Sequence, residues 1–488
     1  MSTQARESRP VGRAAQETSL DGTNDTEFVN GITSPDDLLG EVFDDDQVPE
    51  DAEIVGENHE PLPIDERLAD VTRQYLATVR RGTPLRVIKS ALLRRSNEAI
   101  SEHNAEQKAM GTGLKVPPMR VIDPMQISMI LLHQFSIIRM VIGAETKDTM
   151  LAIYDEEPGS DTYGLYVSEL VRRDLIDARI RELNRQADDK VIAAVYSQLN
   201  TMAPIRWRHR DADIMPFANC LVKYPSLEVL PFSPEYVIDR KAVTRWVEDP
   251  PEPDLCLDDG TPWDHRAFID ELVTDPEVAL VLKQAVVAAC RPFHLWVRSL
   301  WPFNASGNNG KGTMGVLLSA LLGEDNVGAL SMANYAETYL LSSLATKMAN
   351  IADENDVDAR VVNSGRWKTI RTGGIVMAGA KYERDYKFKV CGLDWQPLNH
   401  FLKVADTSNS LWRRALPLTF DKEFEGIERP EIRDRLIHDP SYLEWLVWTL
   451  AHELAPFDSF HIPASSLAIV TELKVRNDPV RAFWEDIN

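Results

Sequence analysis

Two glycines, two asparagines and a lysine, set between an apolar strand-like run and an apolar helix-like run, leave few options for the surrounding fold. Residues Trp301 to Thr313 read WPFNASGNNGKGT. The run Phe293 to Phe303 predicts a strand entering the turn, and Met314 to Leu322 predicts a helix leaving it. Gly307 and Gly310 let the backbone curl so that successive N–H groups face one point. The positive end of the helix dipole falls at that point, and Lys311 adds a full charge. This is the setting of a phosphate-binding loop of the form G-x-x-x-x-G-K followed by Ser or Thr. Its members here are Ala305, Ser306, Gly307, Asn308, Asn309, Gly310, Lys311, Gly312 and Thr313. Ala305 replaces the usual first glycine. Gly312 stands where a magnesium-ligating hydroxyl is usual, with Thr313 one place later. Alone, the stretch also reads as an ordinary Gly/Asn turn.

The chain downstream of the loop decides between those readings. About 40 residues after Lys311, a spacing ordinary for a phosphate-loop core, KMANIADEND (Lys347 to Asp356) is a short strand ending in Asp353-Glu354. Nucleotide hydrolysis needs one carboxylate near magnesium and one beside the attacking water, and adjacent acids at a strand tip can serve both. An acidic pair on a surface is the plain alternative. Asn399 comes after the strand-like run Val390 to Leu398, a position suited to sensing a terminal phosphate, though an isolated Asn there also reads as a turn residue. Arg413-Arg414 precede a final strand, Ala415 to Phe420, and an arginine there can reach a neighbouring subunit's phosphate, with structural salt-bridging as the plain alternative. Between these elements, Gly373 to Val390 predicts a hairpin. It mixes Lys381, Arg384, Lys387 and Lys389 with Tyr382, Tyr386 and Phe388. Cations for phosphates and rings for bases suit a DNA strand; an edge hairpin guarded by lysines is the competing reading.

Taken as a bulk figure, the net charge of −23 argues against a nucleic-acid partner. Residues 1–60, however, hold sixteen Asp or Glu against three Arg, a net of −13, which leaves −10 for the remaining 428 residues. That balance permits local basic surfaces. The four cysteines have no metal-ligand or disulfide-framework spacing. No apolar run approaches ~18 residues free of charge, so a cytoplasmic protein without a membrane span or leader is expected.

Read in order, residues 1–62 form an acidic tail expected to be disordered. Residues 63–147 are predicted mainly helical, broken at Gly82 and Pro84, with Asp123 to Met140 as one buried helix. Arg80, Arg81, Arg86, Lys89, Arg94 and Arg95 form either a solvated helix face or a DNA-facing patch. Residues 148–250 predict an α+β domain that begins with a hairpin over Met150 to Val167 and later holds two short strands within Ile214 to Pro234. Residues 251–292 read as a Pro- and Asp-rich linker (from Glu248) and a helical lead-in, 293–425 as an α/β nucleotide-binding core, and 426–488 as a helical segment.

The series ASGNNGKGT, ADEN, GRWKTIRTGG, KYERDYKFKV and DTSNSLWRRALPLTF resembles the superfamily 3 helicase domain of phage and plasmid primase–helicases, the poxvirus-primase-like group. That family's loop runs G-x-G-x-N-G-K, then Ser or Gly, then Thr. Gly307, Asn309, Gly310, Lys311 and Thr313 fall on its positions. The resemblance implies an α/β P-loop NTPase core of the AAA+-like kind, using ATP and Mg²⁺. It implies a ring-forming ATP-dependent DNA helicase, a homohexamer translocating on single-stranded or forked DNA during replication of a phage, plasmid or other mobile element. By residue, it implies phosphate contact by Lys311, magnesium binding by Asp353 with Thr313, and water activation by Glu354. Asn399 would be the sensor, Arg414 or Arg413 the arginine finger, and Lys368 a DNA-binding residue with Lys381, Tyr382, Arg384, Lys387 and Lys389. Three departures stand out: Gly312 carries no hydroxyl, the sensor strand reads Pro-Leu-Asn-His, and residues 63–200 lack the paired acids of a primase. A separate primase or origin-binding protein is therefore an expected partner. The alternatives are a nucleotide-binding replication or regulatory factor without helicase activity, and a DNA packaging or remodelling ATPase.

Overall fold

Along Ser299–Phe303, successive side chains enter opposite cores: Leu300 packs into one large apolar cluster and Trp301 into another. Period-two alternation with both faces buried marks a central strand of a parallel sheet. The computed structural model describes residues 62–143, 145–304, 307–353, 364–379, 386–399 and 409–476. All but the last residue of the acidic tail fall outside that range. Residues 61–488 make one compact unit, a mixed α/β fold with many helices.

The first part is helical, as the periodicity predicts: α1 (Ile64–Ala77), α2 (Leu85–Ala109) and α3 (Pro124–Gln134). Gly82, at φ +84°, makes the break between the first two. Asp123 and Gln126 close a reciprocal capping box at the start of α3. The single helix expected over Asp123 to Met140 is corrected: α3 stops at Gln134, and Ile137–Val141 is a strand, β1. A continuous apolar run looks the same for a buried helix and a buried strand. Then come β2 (Thr149–Tyr154), β3 (Tyr166–Ser168), α4 (Glu169–Arg172), α5 (Asp174–Leu183), α6 (Asp189–Met202) and β4 (Ile205–Trp207). The expected hairpin is β2–β3, antiparallel, in a sheet ordered β3-β2-β1-β4.

Where two strands were expected within Ile214 to Pro234 there are three, β5 (Ile214–Pro216), β6 (Leu221–Lys223) and β7 (Glu228–Leu230), forming an antiparallel meander. The Pro- and Asp-rich stretch after Glu248 is packed rather than loose. Trp263 is buried in the main core and Cys256 bridges Pro262. The lead-in has two helices, α7 (Phe268–Glu271) and α8 (Pro276–Ala289), separated by the cap Asp275 and Pro276.

The central sheet contains β8 (Ser299–Phe303), β9 (Val327–Gly328), β10 (Ala349–Ile351), β13 (Leu393–Trp395) and β14 (Ala415–Thr419), ordered β14-β8-β13-β10-β9 with every neighbouring pair parallel. The predicted strand Phe293 to Phe303 shortens to β8 because residues 292–294 form a turn. Between the strands lie α9 (Lys311–Leu322), α10 (Thr338–Leu341), α11 (Ser364–Arg371), the hairpin strands β11 (Val376–Ala378) and β12 (Tyr386–Phe388), and α12 (Asn409–Trp412). One face of the sheet packs on α8, α9 and α14 (Pro440–Glu453). The other packs on α10 to α12 and the side of α15 (Ala464–Arg476) carrying Leu473, with Trp367 fully buried. A short helix, α13 (Pro430–Asp434), precedes α14. Among the described residues no helix is long and apolar enough to cross a membrane.

Candidate nucleotide-binding site

In a parallel sheet, a ligand crevice forms outside the carboxyl ends of the strands where successive connections diverge. Here β8 leaves toward α9 and the far edge of the sheet, and the chain later returns to place β13 between β8 and β10. The carboxyl ends of these three adjacent strands carry Asn304, Asp353 and Asn399. Leu398 pairs with Phe303, and the Asn304 N–H donates to the Leu398 carbonyl at 3.3 Å, so Asn399 comes directly after a residue bonded to the start of the loop.

The second half of the loop is tightly specified. Asn308 takes φ +48° and Gly310 φ +84°. The backbone at Gly310 favours glycine, and a Cβ would lie 2.7 Å from the Leu272 Cδ2, so the end of that side chain would have to move. Asn309 is buried, and its Oδ1 accepts from the Lys311 N–H at 3.4 Å. Lys311 opens α9; its ammonium donates to the Asn304 carbonyl at 3.0 Å. From the other side, the segment after β14 lies over the loop. The Phe424 N–H donates to the Asn308 carbonyl at 2.8 Å, and the Asn308 amide donates to Glu428 Oε1 at 3.2 Å.

Two cavities open on either side of the start of α9. One, about 490 Å³, brings Lys311, Gly312 and Asp353 together with Glu324 and His438. The other, about 430 Å³, is lined by Asn308, Gly310 and Thr313 with Phe268, Leu272, Phe424, Ile427 and Arg433. Thr313 was expected to supply the hydroxyl that Gly312 lacks, beside Asp353. The structure places it on the other cavity, because neighbouring helical residues are rotated by about 100°. Gly312 lines the Asp353 cavity, and among the described residues nothing lies within 4 Å of where its Cβ would go. Asp353 itself is exposed, whereas Lys311 is buried. Ala305, Ser306 and Glu354 lie outside the described residues.

The two arginines before β14 are separated by burial. Arg414 is 6% exposed and donates to the Ser410 carbonyl within its own turn, whereas Arg413 is exposed. Of the two arginines expected as alternatives, Arg414 thus faces inward and Arg413 outward in this chain. Both sit at the amino end of β14, and the Arg414 carbonyl accepts from the Ser299 N–H at 2.8 Å. They therefore lie one strand length, roughly 17 Å, from the loop of their own chain.

The basic hairpin is partly described. Lys381, Tyr382 and Arg384 lie outside the described residues; Lys389 is exposed. Lys387 donates to Glu145 at 3.0 Å; a hydrogen bond from Lys147, with this one from Lys387, pulls the Glu145 carboxyl down to about 2. Lys368 is half-buried on α11, one turn before Arg371. Arg371 faces a buried cluster on β13: Asp394 accepts from Tyr335 (2.7 Å), Asn350 (3.0 Å) and Gln396 (2.9 Å). Burial alone would raise the Asp394 carboxyl, but Arg371 and the Asn350 and Gln396 donors hold it below its ordinary value.

Several residues at the site were not singled out from the sequence: Asn304, Phe424, Glu428 and His438. The dipeptide pattern around the loop pointed to none of them. Asn304, immediately after the predicted strand, is the one a strand-end argument could have found.

Residues 303–414 match a family of unknown function (DUF5906). No curated protein matches the chain. Among solved structures, the A-form apo structure of the NrS-1 C-terminal region is similar at a TM-score of 0.43 and 12% identity, over 72% of this chain and 75% of that one. Another apo structure of the same region gives a TM-score of 0.44 at 11% identity with the same coverage. At TM-scores below 0.5 these likenesses carry no functional weight.

Proposed function

We propose that this protein is an ATP-dependent DNA helicase of the superfamily 3 kind, a P-loop ATPase that forms a ring, as a homohexamer, on single-stranded DNA during replication of a phage, plasmid or other mobile element. The observation that carries the reading is the cavity shared by Lys311, Gly312 and Asp353 at the carboxyl ends of β8 and β10. The order β14-β8-β13-β10-β9, with the Asn399 strand between the loop strand and the Asp353 strand, supports it.

In this reading the Lys311 ammonium exchanges the Asn304 carbonyl for phosphate oxygens, and the first N–H groups of α9 donate to the same anion. The second cavity, apolar on the Phe268, Leu272 and Phe424 side and open to Thr313, suits the base and sugar. Asp353 would hold magnesium; Mg²⁺ commonly takes only one or two carboxylates and keeps several waters, so the missing hydroxyl at Gly312 is compatible with binding. Bound there, the ion would neutralise charge on the phosphates. Glu354 orients the attacking water, Asn399 reads the terminal phosphate, and Arg413 serves the adjoining subunit's site. Lys368, Lys381, Tyr382, Arg384, Lys387 and Lys389 grip the DNA.

One observation favours a second reading, a nucleotide-binding factor that does not unwind DNA: neither Gly312 nor Thr313 offers a hydroxyl to the Asp353 cavity. DNA-stimulated ATP hydrolysis and unwinding of a forked duplex separate the two. Helicase activity abolished by Lys311→Ala and by Glu354→Gln is expected; ATP binding without DNA-stimulated turnover in the parent protein would establish the second reading instead.

A further inference from the structure

A third cavity, about 470 Å³, lies away from the phosphate loop, where the N-terminal sheet meets the hairpin base. From the sheet it is lined by Gly143 and by Arg208, His209 and Arg210, which come after β4. From the core it is lined by Arg240 and Lys389. It thus presents four permanent cations, and among the described residues none that lines it is acidic.

The cations divide into two kinds. Arg208 and Arg240 are committed to the fold: both pair with the buried carboxylate of Asp239, at 3.2 and 2.9 Å, and both donate to the Ala345 carbonyl, at 2.9 and 2.6 Å. Asp239, behind the wall, neutralises one of the four charges. Arg210 and Lys389 are exposed at the opening; Arg210 donates to the Gly143 carbonyl at 3.3 Å but pairs with no described carboxylate, and Lys389 makes no ion pair with a described residue. The Arg210 guanidinium lies 3.8 Å over the Trp207 ring, and Trp207 is 40% exposed, an unusual state for an indole. Nearby, Glu145 is occupied by Lys147 and Lys387 and adds little free negative charge.

We propose that this cleft is a second contact for single-stranded DNA: Lys389 and Arg210 hold consecutive backbone phosphates, and the Trp207–Arg210 stack is a platform for a base. A lone anion would be served by the cations alone. The exposed ring beside them is what a polynucleotide uses, since every base offers a face to stack while its phosphates track the positive wall. The cleft includes Lys389, the residue after β12, so a strand held by Lys389 already lies at its edge. The inference rests on the proposed DNA function and extends its path onto the N-terminal sheet.

Binding of a fluorescent oligothymidylate by the full-length protein, measured across a salt series, tests it. Arg210→Ala should weaken binding roughly threefold or more at low salt and reduce the log–log salt slope by about 0.7, one phosphate contact's share for single strands. Trp207→Ala should weaken it roughly fivefold or more with the slope nearly unchanged, as loss of stacking does. Arg210→Lys should restore the slope, which a merely structural role of the guanidinium would not allow. A 5-iododeoxyuridine oligonucleotide should photocrosslink to Trp207. ATP affinity should stay at the parent value in all three variants, showing that the core is intact. If the parent protein binds the oligonucleotide and these variants bind it equally well, the cleft is not a DNA contact, while the helicase reading stands. If the parent protein binds no single-stranded DNA, both fall.

Discussion

Asp394 on β13 and Arg371 at the end of α11 face each other across 4.0 Å, at 0% and 1% exposure. The first belongs to the strand that leads to Asn399, and the second to the helix that carries Lys368 and leads into the hairpin. Replacing the aspartate strands the guanidinium in the interior. Asp394→Asn should therefore destabilise the protein by about 3–5 kcal/mol, read as a lower denaturation midpoint. An effect within ~0.5 kcal/mol, the scale of an ordinary surface substitution, would remove the pair from any structural role.

Gly312 offers a gain-of-function test. Among the described residues a Cβ there meets nothing within 4 Å, and the backbone φ is one that any residue adopts. Gly312→Ser should fold normally and place a hydroxyl on the cavity that holds Asp353. On the proposed function, ATP turnover at limiting magnesium rises severalfold. A turnover rate unchanged across a magnesium titration would mean that the glycine does not limit the site.

At Gly310 the same substitution logic reverses. Gly310→Ala combines a left-handed residue, costing about 1–2 kcal/mol, with a Cβ 2.7 Å from Leu272. Nucleotide affinity and melting temperature should both drop, and Leu272→Ala in the same chain should recover part of the melting temperature. No recovery would indicate that the backbone strain alone governs.

Acid stability should depend on Asp239. Burial pushes its carboxyl up, but Arg240 and Arg208 hold it below the ordinary value. A lowered folded-state pKa means the stabilisation is complete above the unfolded value near 4 and is lost as pH falls below it. Asp239→Asn should be less stable at pH 7 and should lose stability less steeply below about pH 4. Parallel curves for the two proteins would contradict the pairing.

Because Arg413 lies at the opposite end of the sheet from its own loop, the proposed mechanism requires two chains per site. Arg413→Ala alone should reduce ATP turnover about 10³-fold or more, and Lys311→Ala should be equally inactive. Mixed in equal amounts, the two variants should regain measurable turnover, since some interfaces then contain both an intact loop and an intact arginine. Mixtures as inactive as either component would rule out sharing.

What could be read from the sequence was local. Gly307 to Lys311 specify a curled loop at a helix start through their own chemistry, and the helix at Met314 to Leu322 begins three residues early but is otherwise as expected. The hairpin at β2–β3 was legible from alternation, and the β11–β12 pairing (Met377 with Lys387) from alternating basic and aromatic residues. Long-range relationships were not legible. Lys387 meets Glu145 across 242 positions of sequence, and nothing near either residue signals it. Whether Arg413 or Arg414 turns inward depends on how α12 packs, which two adjacent identical residues cannot reveal. The side on which Thr313 lies, by contrast, is fixed by helical rotation once Lys311 is taken as the first helical residue.

The parallel register of β14 and β8, from Ala415 opposite Ser299 to Thr419 opposite Phe303, has a genetic consequence. If each site borrows its arginine from the next chain, a defective copy silences a neighbour as well as itself. A mutant allele of Arg413 or Lys311 expressed beside a sound one should then depress replication by more than its share of the protein, and behave as dominant.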